Sequence, residues 1–180
     1  MPHEVYTRRV LFATWQDKAA WLDGEAWTDA RRPYVREAAR RIALPHDPND
    51  FHGMALDAYE LVQHRVRYIS DPASEEFSDA ETTLRQGYGD CDDKARLLVA
   101  LLRSMSPSFE AHIRPVLDAD GGFAHVQVVA RFPGSYRVRG FRRGVPSLLA
   151  AAGGWLTAEV ILRDAHLGDD LQDVPSRALS

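Results

Sequence analysis

Cysteine is nearly missing from this chain, long apolar runs are absent, and positive charge is in slight deficit. A single cysteine, Cys91, excludes an internal disulfide. It fits a reducing compartment, or a protein that keeps its thiol for chemistry. A formal net charge of −4 leaves no broad basic face of the kind a general nucleic-acid binder needs. No apolar run approaches the ~18 residues of a membrane span. Val10-Leu11-Phe12-Ala13 is too short for the core of a secretory leader. The expectation is therefore a soluble, cytoplasmic protein with no membrane and no nucleic-acid partner. Histidines at 3, 46, 52, 64, 112, 125 and 166 show no close ligand spacing and have no second cysteine to join, which argues against a zinc centre. What is present is a hydrophobic content of 45% and four tryptophans, enough for the core of one domain over 1–180.

Periodicity divides the chain into helices followed by strands. Residues 1–27 read ambiguously, with Trp15, Trp21 and Trp27 assigned to packing. Thr28 is a helix-capping type, and Val35, Ala38, Ala39 and Ile42 predict a helix from there to about Ala43. A loop at 45–50 precedes a second helix with Met54, Ala58, Leu61 and Val62 on one face, ending near Tyr68-Ile69. Residues 71–93 carry eight acids against one base, Arg85, and read as a solvated connector. From Cys91 to about Ser104, Cys91, Ala95, Leu98 and Leu102 recur on one helical stripe. Beyond Pro107 the period changes to that of strands. Ala111 to Leu117 and Ala124 to Phe132 are joined by a hairpin signal at 118–122, and Trp155 to Leu162 reads as a third strand. Helices first and an antiparallel sheet second predict an α+β fold.

The chemistry concentrates at Gly87-Tyr88-Gly89-Asp90-Cys91-Asp92-Asp93-Lys94-Ala95. A thiol attacks as thiolate, and a helix N-terminus favours negative charge. Gly89-Asp90 is a plausible cap that puts Cys91 at the first helical position. His125, the one histidine inside a strongly strand-like run, is the leading general base. A base histidine needs an orienting acceptor, which Glu159 or Asp164 can supply. Asp90, Asp92 and Asp93 work against the thiolate by like charge, unless they point away or are neutralised.

At these residues the chain resembles the transglutaminase-like superfamily, with its papain-like core. The resemblance covers roughly 54–168, leaving 1–50 as an N-terminal helical extension. It rests on Arg67-Tyr68-Ile69-Ser70-Asp71-Pro72, on Thr83 to Ala95 with its Gly-Asp-Cys, on Ala124-His125-Val126, and on Trp155 to Glu159 followed by Leu167-Gly168. It implies that the nucleophile helix packs on an antiparallel sheet, that Cys91 is the nucleophile and that His125 is its base. Gln86 and Tyr88 become the oxyanion or support residues. The family's third residue is usually aspartate; here that position holds Glu159, with Asp164 as fallback.

The resemblance also implies attack on an amide carbonyl with a thioester intermediate. Hydrolysis of a peptide or side-chain amide leads, because small microbial members are more often hydrolases, and the partner is then a protein or peptide substrate. A crosslinking transferase and a non-catalytic binding or assembly module are the alternatives. No cofactor is required; one subgroup binds calcium beside a similar motif, which makes Asp90, Asp92 and Asp93 candidate oxygen ligands. Residues 133–154, with Arg137, Arg139, Arg142 and Arg143, look like an insertion between strands that could form a lid or partner surface.

Overall fold

The structure, a computed structural model, describes residues 12–70, 76–117, 123–134, 155–161, 165 and 167–168. Among these, five α-helices come first: α1 (Trp15–Asp29), α2 (Pro33–Ala43), α3 (Phe51–Glu60), α4 (Ala80–Gln86) and α5 (Cys91–Met105). A π-helical turn (Leu61–Arg65) extends α3. Two short strands, β1 (Arg67–Tyr68) and β2 (Tyr88–Gly89), pair in parallel. The antiparallel sheet follows, in the order β3 (Glu110–Leu117), β4 (Phe123–Arg131), β5 (Leu156–Ala158). The fold is α+β, as expected. The described residues include no helix long and apolar enough to cross a membrane.

Helix α5 is the centre of the molecule. It packs against the four other helices and against β3 and β4. Ala95 through Leu102 are all buried. Each fully buried leucine or valine there contributes about 1.5–3 kcal/mol by leaving water. An aromatic layer closes one end, where Phe109 stacks edge-on against both Phe51 and Phe132.

Several expectations are corrected. The helix placed from Thr28 to Ala43 is two helices. Arg32 is extended (φ −66°, ψ 136°), because the residue before a proline is driven out of the helical region, and Pro33 then starts α2. The second helix stops at Arg65 rather than near Ile69, since Arg67 and Ile69 donate to Gly87 O and Gly89 O as strand. The acidic connector is not simply solvated loop. It contains α4, capped by Asp79 on the Thr82 N–H, and it buries Asp92 and Asp93. The third strand spans only Leu156–Ala158, and Val160 and Ile161 already bend away. Trp15 and Trp27, assigned to packing, do pack, Trp15 beside Lys18 and Trp27 over Arg103, while remaining partly exposed; Trp155 likewise covers Arg131. The hairpin turn at 118–122, the arginines of the 133–154 insertion, Asp164 and the tail after Gly168 lie outside the described residues.

Candidate active site

Cys91 is the first residue of α5. Asp90 caps that helix, its Oδ1 accepting the Asp93 N–H at 3.0 Å. The chain reaches the cap through a tight approach. Gly87 ends α4 in the left-handed region (φ 71°), and Gly89 leaves no room for a side chain, since a Cβ there would lie 2.7 Å from the Asp93 Cβ. The ladder of β1 on β2, with Arg67 N–H to Gly87 O at 2.8 Å and Ile69 N–H to Gly89 O at 3.1 Å, fixes this approach against the end of α3.

The sulfur is partly buried, and its hydrogen points at Asp92 Oδ1, 3.7 Å away. Burial first, then the Asp92 and Asp90 charges, push the thiol pKa far above its ordinary value. The Val126 N–H, hydrogen-bonded to the sulfur, and the Lys18 ammonium pull the other way. The resting group is a neutral thiol.

His125 projects from β4, one residue before the strand N–H that touches the sulfur. Its Nε2 lies 2.8 Å from Glu159 Oε2 and 3.1 Å from Oε1. His125 is 5% exposed and Glu159 1%. Glu159 Oε1 also accepts the Ile161 N–H at 2.8 Å, so the carboxylate is held from two sides. A carboxylate accepts from Nε2–H, which leaves Nδ1 as the basic ring nitrogen. Among the described residues Glu159 is the imidazole's hydrogen-bond partner, and the thiol directs its hydrogen to Asp92 rather than to the ring.

The three acids around Cys91 diverge. Asp90 caps α5, Asp92 pairs with Lys18 at 2.6 Å, and Asp93 accepts the Ser78 N–H at 2.7 Å. No group of three or more metal-ligating side chains occurs among the described residues. Gln86 donates its side-chain amide to Tyr88 O at 2.9 Å, and the Tyr88 side chain is exposed. That bond supports the bend before the cysteine.

The sequence reading missed a supporting layer. Tyr59 places its hydroxyl 2.7 Å from Glu159 O and 3.0 Å from Ala165 O. Gln63, one turn on, donates to Tyr59 Oη and to Ala165 O at 2.8 Å each. Lys94, buried on the first turn of α5, reaches Val66 O at 2.9 Å and Gln63 O at 3.4 Å, carbonyls at the end of the π-helical turn. The α3 side of the molecule thus ties the cysteine helix to the backbone carrying Glu159. Tyr59 and Gln63 at i and i+4 are one helical face, but that spacing reads equally well as core.

Residues 36–107 match the family model of the transglutaminase-like superfamily. The match takes in Cys91 and its approach, and stops before His125 and Glu159. The crystal structure of a "putative protease" from Parabacteroides distasonis has the same fold, with a TM-score of 0.52 over 73% of this chain at 14% identity. This chain spans 29% of that one, and the likeness is one of fold. No curated protein matches the chain.

Proposed function

We propose that this protein is a cysteine-dependent acyl-transfer enzyme that hydrolyses a peptide or side-chain amide through Cys91, His125 and Glu159. One observation supports this most. A buried imidazole held at Nε2 by a buried carboxylate sits on the strand whose next N–H contacts a sulfur at a helix N-terminus. A structural histidine needs no such arrangement of its second nitrogen. The similarity of 36–107 to the transglutaminase-like superfamily supports the same class.

The raised thiol pKa dictates how the step runs. Cys91 does not rest as a thiolate, so His125 Nδ1 takes the proton as the sulfur attacks the carbonyl carbon. The N–H groups at the start of α5 face the developing oxyanion. Collapse expels the amine, which receives the proton from His125 and leaves a thioester on Cys91. Water, deprotonated by the same nitrogen, releases the acid.

The test is intact-mass detection of an acyl adduct on Cys91 after mixing with peptide amides, in wild type and in Cys91→Ala and His125→Ala. An adduct seen only in the wild type supports the reading. Adding a primary amine separates water from amine as acceptor: incorporated amine means transfer and crosslinking. No adduct on any amide, with Cys91 alkylation indifferent to His125→Ala, would sink it. In that case the thiol's hydrogen bond to Asp92 favours the second reading, a binding or assembly module on the same fold, whose role Cys91→Ala leaves intact.

A further inference from the structure

Asp92 presents a difficulty. A carboxylate beside a nucleophilic sulfur opposes thiolate formation, and this one is 1% exposed, so water does not screen it. Its two oxygens have separate partners. Oδ1 faces the thiol at 3.7 Å, and Oδ2 meets Lys18 Nζ at 2.6 Å. Lys18 belongs to α1, outside the stretch that matches the superfamily, and it is also 1% exposed. The ammonium is walled in by aromatic rings, 5.3 Å from the Phe77 centroid and 5.9 Å from that of Trp15. A lysine buried this far gives up hydration, and its charge is directed at the carboxylate that accepts from the thiol.

We propose that Lys18 is a positioning residue for the nucleophile: by neutralising Asp92 from α1, it sets how readily Cys91 gives up its proton. Resting on the catalytic reading of Cys91, this gives the N-terminal helix a part in that chemistry. Asp92 then acts as a tuned acceptor. It holds the resting S–H, and the Lys18 charge keeps its field from locking the proton in place. The other charge acting on the sulfur is Asp90 on the same helix, which raises the thiol pKa as Asp92 does.

The experiment needs no substrate. Second-order alkylation of Cys91 by iodoacetamide is followed from pH 7 to 10 in wild type, Lys18→Met, Asp92→Asn and the double variant. Removing one member of a buried pair strands the other, so each variant's fold is checked by circular dichroism and melting; the double variant strands neither. We expect Lys18→Met to slow alkylation at pH 9 about tenfold, equivalent to one pKa unit. Asp92→Asn should speed it, and the double variant should return to within about threefold of wild type, because the two charges act through each other. Should Lys18→Met not fold, the remaining two variants still decide. Folded variants that all alkylate as wild type does would show that the pair merely holds α1 to α5, and would overturn the proposal. So would a double variant that alkylates tenfold or more slowly than the wild type. Failure of the catalytic reading looks different: alkylation there is indifferent to His125→Ala, and no acyl adduct forms.

Discussion

Glu159 stands where the superfamily resemblance expects an aspartate, and its extra methylene is accommodated by geometry. The residue lies just past β5, and its carboxylate is fixed between His125 Nε2 and the Ile161 N–H. Glu159→Gln keeps the volume but replaces a carboxylate with an amide that can present a donor to Nε2 and favour the wrong tautomer. In the proposed reaction it should lower kcat by about 10²–10⁴-fold with KM little changed, read by steady-state kinetics on whichever amide yields the adduct. Gly89 carries the second prediction at this scale. Gly89→Ala drives a Cβ to 2.7 Å from the Asp93 Cβ, in the first turn of α5. It should cost about 1–3 kcal/mol in urea unfolding and displace the cap of α5. The sequence placed Cys91, its cap and His125 on the right elements because those features are local. Asp92 was legible only as an acid beside a thiol. Its partner lies on a helix that the pattern left unread.

The connector between α2 and α3 is closed by a histidine. His46 Nε2 meets Asp57 Oδ2 at 2.8 Å, and Nδ1 meets Asp50 Oδ2 at 3.1 Å. Asp57 above all, with Asp50, raises the His46 pKa above its ordinary 6.5 despite partial burial. Asp50 in turn caps α3 through the Gly53 N–H, which with His46 lowers its own pKa. A raised histidine pKa means that the folded state holds the proton more tightly. The stabilisation is therefore fully present below about pH 6.5 and is lost as pH rises through the higher folded value. The melting temperature of wild type should exceed that of His46→Gln most at about pH 5–6, and the gap should narrow above pH 8. At this scale the helical periods of α2, α3 and α5 were readable. The break at Arg32 is written in Pro33, which hydrophobic spacing does not register; the helix α4 and the π-helical turn were not readable, since capping and hydrogen-bond register set them. One signal for α1 was available. Thr14 and Asp17 form a reciprocal cap, with the Asp17 N–H on Thr14 Oγ1 at 3.1 Å and the Thr14 N–H on Asp17 Oδ2 at 3.0 Å.

Across the whole molecule, charge fastens α1 to α5. Besides Lys18 on Asp92, Arg96 reaches Asp29 at 2.6 Å and Glu25 at 3.3 Å, and Arg103 meets Asp23 at 2.8 Å. Asp29 is fully buried and also accepts the Ala80 N–H at 3.0 Å, which brings α4 into the same junction. Arg96→Met removes the buried cation and leaves Asp29 with the partly exposed Arg32, 3.0 Å away, and the Ala80 N–H. It should destabilise the fold by about 1.5–3 kcal/mol in urea unfolding, the range of a hydrogen bond to a charged group and more than a surface ion pair would. Exposed pairs such as Arg40 with Glu37 offer the contrast, and their loss should pass nearly unnoticed.

By itself the sequence determined the fold class, the helix that carries the cysteine and the strand that carries the histidine. Those follow from short-range periodicity and from a glycine-rich approach only a few residues long. The tertiary structure alone decided which charges meet. Helix α1 supplies the cation for Asp92, and the π-helical turn binds Lys94. The backbone around Glu159 is held by Tyr59 and Gln63, about a hundred residues earlier in the chain. The physical reason is that hydrophobic spacing reports only which face of an element turns inward. Ion pairs and side-chain-to-carbonyl bonds form between elements far apart in sequence, and they become visible only once the faces have met.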